Sequence, residues 1–130
     1  MNAEDVILFL AEAEACFRDG DYEGAREYLE QIDDIDRIEP AVIDLELRLI
    51  PKTGGWEKAR GFSNLLGFAF DEQHKITVAE FRVEWAAFWL EKRRTSLAVE
   101  QLQQAFKLWP PIRLQVIDDS RFEGVLEGRK

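Results

Sequence analysis

The feature that most constrains the fold is an internal repeat in the first half of the chain. The segments Gly20 to Ile32 and Gly54 to Leu66 align without a gap, and both carry glycine, an aromatic residue, glutamate, alanine and arginine in the same order. The two alanines, Ala25 and Ala59, stand 34 residues apart. A fixed period of about this length is typical of repeated supersecondary units that bury their apolar faces by stacking.

Apolar residues recur three and four positions apart through most of the chain, a spacing that predicts helices. Asn2 and Asp21 are predicted to cap the first and second helices, and Pro40 suits the first turn of the third. The remaining helices are expected from about residues 56, 77 and 96. No stretch alternates with a period of two for long enough to indicate a strand.

Two capping boxes mark further predicted helix starts. The first is Thr77 to Glu80, preceded by a polar stretch, Asp71 to Lys75, that is predicted to be a loop. The second is Ser120 to Glu123, which predicts a short last helix after the segment from Ile112 to Ile117. The fifth helix is apolar almost all round, so we expect neighbouring elements to cover it on several sides.

The composition is that of one folded acidic domain. Of the 130 residues 46% are apolar, with only 4 prolines and 8 glycines, which is sufficient material for a single core. The 17 basic and 26 acidic residues give a net charge of −9, which repels phosphate backbones and anionic lipid headgroups. We therefore expect neither nucleic acid nor a membrane surface as a partner.

The single cysteine, Cys16, cannot form an intramolecular disulfide, and its neighbours Ala13 and Phe17 predict a buried, reduced thiol. This favours a cytoplasmic location. The apolar run Val6 to Leu10 follows acidic residues, unlike a signal peptide, and no run approaches the ~18 apolar residues of a membrane span.

The repeat resembles the tetratricopeptide repeat family, whose units are helix pairs with a glycine–aromatic–alanine turn and second helix. A third copy fits Ala86, Trp89, Ala98, Leu102, Ala105 and Pro110. The resemblance implies an all-α superhelix, a single domain of residues 1–130 with helix pairs at about 3–36, 40–70 and 77–109 and a C-terminal cap at 111–127. Small residues, namely Ala13, Ala25, Ala59, Ala86 and Ala98, would let paired helices approach closely.

The chain departs from the family pattern at three places. Leu47 stands where the family usually has a small residue, Arg82 where it often has a large apolar one, and Arg93-Arg94 replaces the glycine turn of the third copy. We therefore expect an irregular array.

In proteins similar to this one, the first helix of each pair lines a concave groove that holds a peptide or another protein. The residues at those places form the predicted partner-binding groove: Leu10, Glu14, Phe17, Arg18, Asp44, Arg48, Lys52, Val83, Ala87 and Glu91. Spacings of three and four put each set on one helix face. A segment with apolar anchors and a few charges would suit this mixed surface. The alternative is that its apolar members belong to the core or are covered by the last helix.

No catalytic residue, metal or cofactor is expected. His74, the one histidine, has no Ser or Cys partner at a recognisable spacing. The acidic run from Asp33 to Glu39 lacks the central glycine and closing glutamate of a calcium loop. The sequence thus predicts an adaptor that binds a protein or peptide. The alternatives are a small acidic holding chaperone for an export or aggregation-prone client, and a structural subunit that self-associates as a homo-oligomer.

Overall fold

The computed structural model of the protein describes residues 2–66 and 71–126, and every regular element within them is a helix. The predicted all-α class is confirmed for these residues. The chain divides into two compact units, Met1–Ala69 and Phe70–Lys130. The first contains α1 (Ala3–Arg18), α2 (Tyr22–Glu30), α3 (Pro40–Thr53) and α4 (Ala59–Leu66), with 3₁₀ turns at Asp36–Ile38 and Trp56–Lys58. The second contains α5 (Glu72–Glu91), α6 (Thr95–Leu108), α7 (Ile112–Ile117) and a 3₁₀ turn at Ser120–Phe122.

Side-chain caps start the first two helices where the sequence predicts. The Asn2 Oδ1 atom accepts a hydrogen bond from the Asp5 N–H at 2.8 Å, and the Asp21 Oδ1 atom accepts one from the Gly24 N–H at 2.9 Å. Each cap satisfies a backbone donor that the first helical turn leaves without an intrahelical partner. Both predicted caps are confirmed.

The turn that joins α1 to α2 and the turn that joins α5 to α6 have the same hydrogen-bond pattern. In each turn, three consecutive N–H groups donate to carbonyls four, three and five residues earlier. The donors are Asp19, Gly20 and Asp21 in the first turn, and Lys92, Arg93 and Arg94 in the second. The central residues, Gly20 and Arg93, both have left-handed backbone, with φ of 79° and 60°. The second turn therefore keeps the geometry of the first although it lacks the glycine that this backbone favours.

We expect Arg93→Gly to raise the free energy of unfolding by about 0.5–1 kcal/mol, because glycine takes left-handed backbone without the steric cost of a Cβ. Gly20→Ala should lower it by about 1 kcal/mol. No atom lies within 4 Å of the Cβ that this change adds, so its effect reports the backbone alone. Urea unfolding followed by circular dichroism measures both changes. Arg94→Gly is the matched control at a residue with φ of −107°, and equal stabilisation there would contradict the backbone explanation.

The second copy of the repeat lacks the cap of the first. Gly55 stands at the position that corresponds to Asp21, and no side chain caps the turn Trp56–Lys58. The helical part of the second copy therefore begins with a 3₁₀ turn. As a result, α4 starts three residues later than its alignment with α2 would place it. Before this turn, α3 begins at Pro40 as predicted and continues through Pro51 to Thr53.

The predicted start of α5 is wrong. The helix begins at Glu72 and not at the capping box around Thr77, because the Asp71 carboxylate accepts hydrogen bonds from the N–H groups of Gln73 at 2.7 Å and His74 at 3.4 Å. Thr77 is 5% exposed inside the helix. The polar residues that were predicted to form a loop instead make the first turn, where an acidic cap is favourable.

The core of the second unit forms around α5, as the apolar sequence of this helix predicts. Its buried residues pack with α6, α7 and the terminal 3₁₀ turn in one cluster: Ala79, Val83, Ala86, Ala98, Leu102, Ala105, Ile112, Val116 and Phe122. In the first unit, the corresponding cluster is Ala13, Ala25, Leu29, Ile32, Val42, Leu45 and Leu49. The five small residues predicted at close helix contacts are all 0% exposed.

Two of the departures from the repeat pattern are accommodated without an empty or unpaired position. Leu47 is 1% exposed within α3. The Arg82 guanidinium on α5 donates to the Gln101 Oε1 atom on α6 at 2.6 Å. Burial lowers the pKa of Arg82, and the carboxylate of Glu100 opposes that shift. Arg82 therefore links the helix pair by a hydrogen bond at a position where the repeat pattern often has a large apolar residue.

The predicted capping box at Ser120 does not form. Asp119 caps instead, accepting from the Arg121 N–H at 3.0 Å, and it opens a 3₁₀ turn where a short helix was predicted. The turn still covers the unit, since Phe122 is 4% exposed. The predicted ends of the second pair at residue 70 and of the cap at residue 127 lie outside the described residues.

Arg121 links this terminal turn to α5 through side-chain contacts. Its guanidinium forms an ion pair with Glu84 on α5 and another with Asp119 at 2.8 Å, and it lies 5.4 Å from the ring centroid of Phe122. The hydrogen bond from Arg121 lowers the pKa of Asp119, while partial burial acts in the opposite direction.

This pKa shift predicts an acid-dependent loss of stability. Because the folded-state pKa of Asp119 lies below its ordinary value of 3.8, its contribution is present at neutral pH and disappears as pH falls through the folded pKa. The free energy of unfolding should fall less below about pH 4 in Arg121→Gln than in wild type, by up to about 1 kcal/mol. Urea unfolding over a pH series measures this. Asp118→Asn, at the exposed neighbouring position, should follow wild type, and a parallel change in all three proteins would contradict the assignment.

Within the described residues, no helix has both the length and the apolar content needed to cross a membrane.

Candidate functional site

The predicted groove residues divide between the two units. Leu10, Glu14, Phe17 and Arg18 lie on α1, and Asp44, Arg48 and Lys52 lie on α3, all in the first unit. Val83, Ala87 and Glu91 lie on α5 in the second unit. The first unit thus holds the larger part of the predicted surface, on two helices that contact each other.

Arg48 joins α1 to α3. Its Nη1 atom donates to the Glu14 Oε2 atom at 3.0 Å, and its Nη2 atom donates to the other oxygen of the same carboxylate. Its Nε atom donates to the Asp44 Oδ1 atom at 2.7 Å, one turn earlier on α3. A paired contact of this kind fixes the orientation of the guanidinium as well as its position. Three residues that the sequence predicts on one surface therefore form a single network.

Aromatic rings extend this network towards Lys52. The Arg48 guanidinium lies 5.3 Å from the ring centroid of Phe17, and the Phe17 ring meets the Tyr22 ring edge to face at 5.4 Å. The Lys52 ammonium lies 5.9 Å from the centroid of Tyr22. Both cations are within the range of attraction by an aromatic face. The result is a row in which two aromatic rings lie between two cations. We call its members the Arg48 cluster: Glu14, Phe17, Tyr22, Asp44, Arg48 and Lys52.

The charges of the Arg48 cluster are balanced and partly shielded from water. The side chains of Arg48 and Glu14 are each 33% exposed, and that of Asp44 is 10% exposed. Burial by itself lowers the pKa of Arg48, but the hydrogen bond with Glu14 and the charge of Asp44 hold the pKa above its ordinary value. Arg48 stays charged, so the carboxylates of Glu14 and Asp44 keep their counter-ion at all working pH values.

The other predicted members on α1 lie beside the cluster. Leu10 is half-buried and packs against the core, whereas Arg18, the last residue of α1, is exposed. Among the residues that the structure describes, Arg18 makes no ion pair. Lys52 is also exposed, and its ammonium lies over the Tyr22 ring and makes no ion pair within the described part of the chain. These two cations are the charges of the predicted surface that no carboxylate neutralises there.

The three predicted groove residues on α5 differ in their exposure and in their packing against the core. Val83 is 7% exposed and belongs to the core of the second unit, which corresponds to the alternative that the apolar groove positions are core. Ala87 is partly buried against the same core, and Glu91 is exposed.

Two parts of the first unit were not predicted from the sequence as site residues. One is Tyr22 on α2, whose ring contacts the Phe17 ring and lies near the Lys52 ammonium. Arg26 on α2 forms an ion pair with Glu46 on α3, a carboxylate that is only 4% exposed, and its guanidinium also approaches the Thr53 hydroxyl at 3.5 Å. No spacing rule connects residues 26 and 46, because the contact exists only after the helices pack.

Two further kinds of candidate site are a reactive cysteine and a cluster of metal-binding side chains. Cys16 packs against the core of the first unit but is only half-buried, not buried as predicted. Desolvation and the carboxylates of Asp21 and Glu12 raise the pKa of its thiol, which keeps it protonated at neutral pH. In the described ranges, no three His, Cys, Asp or Glu side chains gather closely enough to hold a metal ion.

Comparison with known proteins gave no match, whether to protein-family models, to curated proteins or to solved structures.

The Arg48–Glu14 contact should contribute measurably to stability. We expect a double-mutant cycle of Arg48→Gln and Glu14→Gln to give a coupling free energy of about 1 kcal/mol, because the two groups are paired and two-thirds buried. Urea unfolding of the four proteins measures it. Arg18→Gln is the matched control on the same helix and should change stability by less than about 0.5 kcal/mol. A coupling free energy of zero would contradict the expected contribution of this contact to stability.

Proposed function

We propose that the chain is an interaction module of tetratricopeptide-like helix pairs, and that the α1/α3 face of its first unit binds a peptide or a segment of another protein. The observation that carries this proposal is the Arg48 cluster, a partly exposed row of two cations and two aromatic rings in which Arg48 is held by ion pairs with Glu14 and Asp44. Aromatic and arginine side chains of this kind are the residues that most often dominate binding energy at protein interfaces.

The helix-pair arrangement supports the tetratricopeptide-like part of the proposal. Ala25 and Ala59, which define the period of 34 residues, are both fully buried on second helices of their pairs. The turn at Gly20 and the turn at Arg93 share one hydrogen-bond pattern, so two of the proposed units are built alike. Repeats of this kind use the first helix of each pair, here α1 and α3, as a binding surface.

The charges of the face indicate what the bound segment should carry. Glu14 and Asp44 are already neutralised by Arg48, whereas Lys52 and Arg18 are exposed at the end of the face where α1 and α3 finish. A segment with an apolar or aromatic side chain against Phe17 and a carboxylate near Lys52 complements this arrangement. The rigid internal pairs would lower the entropic cost of ordering the surface on binding.

Charge reversal at the two exposed cations tests the proposal. Arg18→Glu combined with Lys52→Glu should fold as wild type does, because neither side chain makes a hydrogen bond to a described residue. We expect proteins captured from host lysate by wild type to be lost with this variant. Purified partner should then bind the variant at least tenfold more weakly by calorimetry. Arg48→Glu is a poorer probe because it would leave Glu14 and Asp44 without their counter-ion.

The second unit provides a matched control. Lys92→Glu combined with Lys107→Glu makes the same change in charge, and Lys92 lies over the Phe88 ring at 5.6 Å much as Lys52 lies over Tyr22. This control should capture the same proteins as wild type. If both variants bind equally, the α1/α3 face is not the binding surface.

A further inference from the structure

Large apolar side chains are exposed at one end of the first unit. Ile7 and Leu8, in the first two turns of α1, are 67% and 56% exposed. Ile35 and Ile38, in the connection between α2 and α3, are 78% and 62% exposed. Because α1 and α2 pack against each other after a short turn, the chain that leaves α2 returns to the end where α1 begins. Four of the most exposed large apolar residues in the described chain thus lie at the same end.

The charges at this end have almost a single sign. Residues 2–8 and 30–39 contain seven carboxylates and one cation: Glu4, Asp5, Glu30, Asp33, Asp34, Asp36, Glu39 and Arg37. We call these two segments, with their exposed apolar residues, the acidic end. The other cations of the unit lie farther along α1 and α3, in the middle of α2, or beyond α3.

Arg37, the one cation of the acidic end, makes its hydrogen bonds and its ion pair within residues 30–39. The Arg37 Nε atom donates to the Ile32 carbonyl at 2.8 Å, and its Nη2 atom donates to the Glu30 carbonyl at 2.6 Å. Its Nη1 atom lies 3.6 Å from Asp34, whose side chain is 98% exposed. Arg37 therefore orders the connection, which holds Ile35 and Ile38 out towards solvent, and it neutralises little of the surrounding charge.

We infer that the acidic end is a second docking surface, and that it binds a basic amphipathic helix of a partner protein. An apolar helix face would cover Ile7, Leu8, Ile35 and Ile38, and flanking lysine or arginine side chains would meet the surrounding carboxylates. This surface goes beyond the proposed function, because it shares no residue with the Arg48 cluster.

The same charges make other occupants unfavourable. A second copy placed on this surface would bring two sets of carboxylates together, at a cost of like-charge repulsion. An anionic lipid surface would be repelled for the same reason. A partner with complementary charge avoids this repulsion and is attracted by the net negative charge of the acidic end.

A designed peptide tests the inference directly. The probe is a synthetic amphipathic helix of leucine and lysine, with the leucines on one face, and binding to the full chain is measured by fluorescence anisotropy. We expect saturable binding that weakens with added salt. Replacing every lysine by glutamate should abolish it, and scrambling the order, which destroys the apolar face, should weaken it at least tenfold.

Paired variants of the protein locate the binding. Ile35→Ser with Ile38→Ser should weaken peptide binding at least tenfold without loss of stability, because both side chains are exposed. Leu114→Ser with Ile117→Ser is the matched control, since these α7 side chains are 70% and 61% exposed. It should bind the peptide as wild type does. Arg18→Glu with Lys52→Glu should bind it no more weakly than wild type, which separates this surface from the Arg48 cluster.

Several results would overturn the inference. One is the absence of binding to wild type, and another is equal weakening by the Ile35/Ile38 and Leu114/Ile117 variants. Equal affinity for the lysine and glutamate peptides would show that the carboxylates have no part in binding. Sedimentation that shows a wild-type dimer, dissociated by Ile35→Ser with Ile38→Ser, would assign the surface to a second copy of the chain.

Discussion

Close packing of paired helices at small residues is the constraint on which the rest of the structure depends. Ala13 and Ala25 lie in one core cluster and Ala86 and Ala98 in another, each residue with no exposed surface. A larger side chain at these positions would separate the helix axes and leave the neighbouring Leu and Ile side chains without contacts. Because the alanines fix how far apart the helices lie, they also fix which side chains meet across each pair.

The polar contacts that join helices follow from this spacing. Arg48 reaches Glu14, Arg26 reaches Glu46, and Arg121 reaches Glu84, each across more than 18 residues of sequence. In all three pairs the arginine comes from one helix or turn and the carboxylate from another. Such contacts add modest stability and greater specificity, because each guanidinium can be satisfied in only one arrangement of its neighbours. The Arg48 cluster adds aromatic rings to such an ion pair, and this combination is the basis of the proposed binding surface.

Local backbone chemistry decides where helices start, and the difference between prediction and structure at α5 shows its limits. Thr77 to Glu80 has the composition of a capping box, but Asp71 is an equally good cap and lies earlier. The helix starts at the earlier cap because the Asp71 carboxylate accepts hydrogen bonds from the N–H groups of Gln73 and His74, which leaves Thr77 buried inside the helix. At Asp119 the cap opens a 3₁₀ turn in place of the predicted helix, and Phe122 in that turn is buried.

The sequence by itself determined the all-α class, the caps at Asn2 and Asp21, the buried alanines and the grouping of Glu14, Asp44 and Arg48 on helix faces. These features depend on the spacing of residues along the chain, which can be read directly from the sequence. Tertiary structure alone decided that Arg48 closes on Glu14, that Glu46 is buried with Arg26, that Val83 is core, and that Ile35 and Ile38 are left exposed. Those outcomes depend on distances between residues remote in sequence, which are set only when the helices pack.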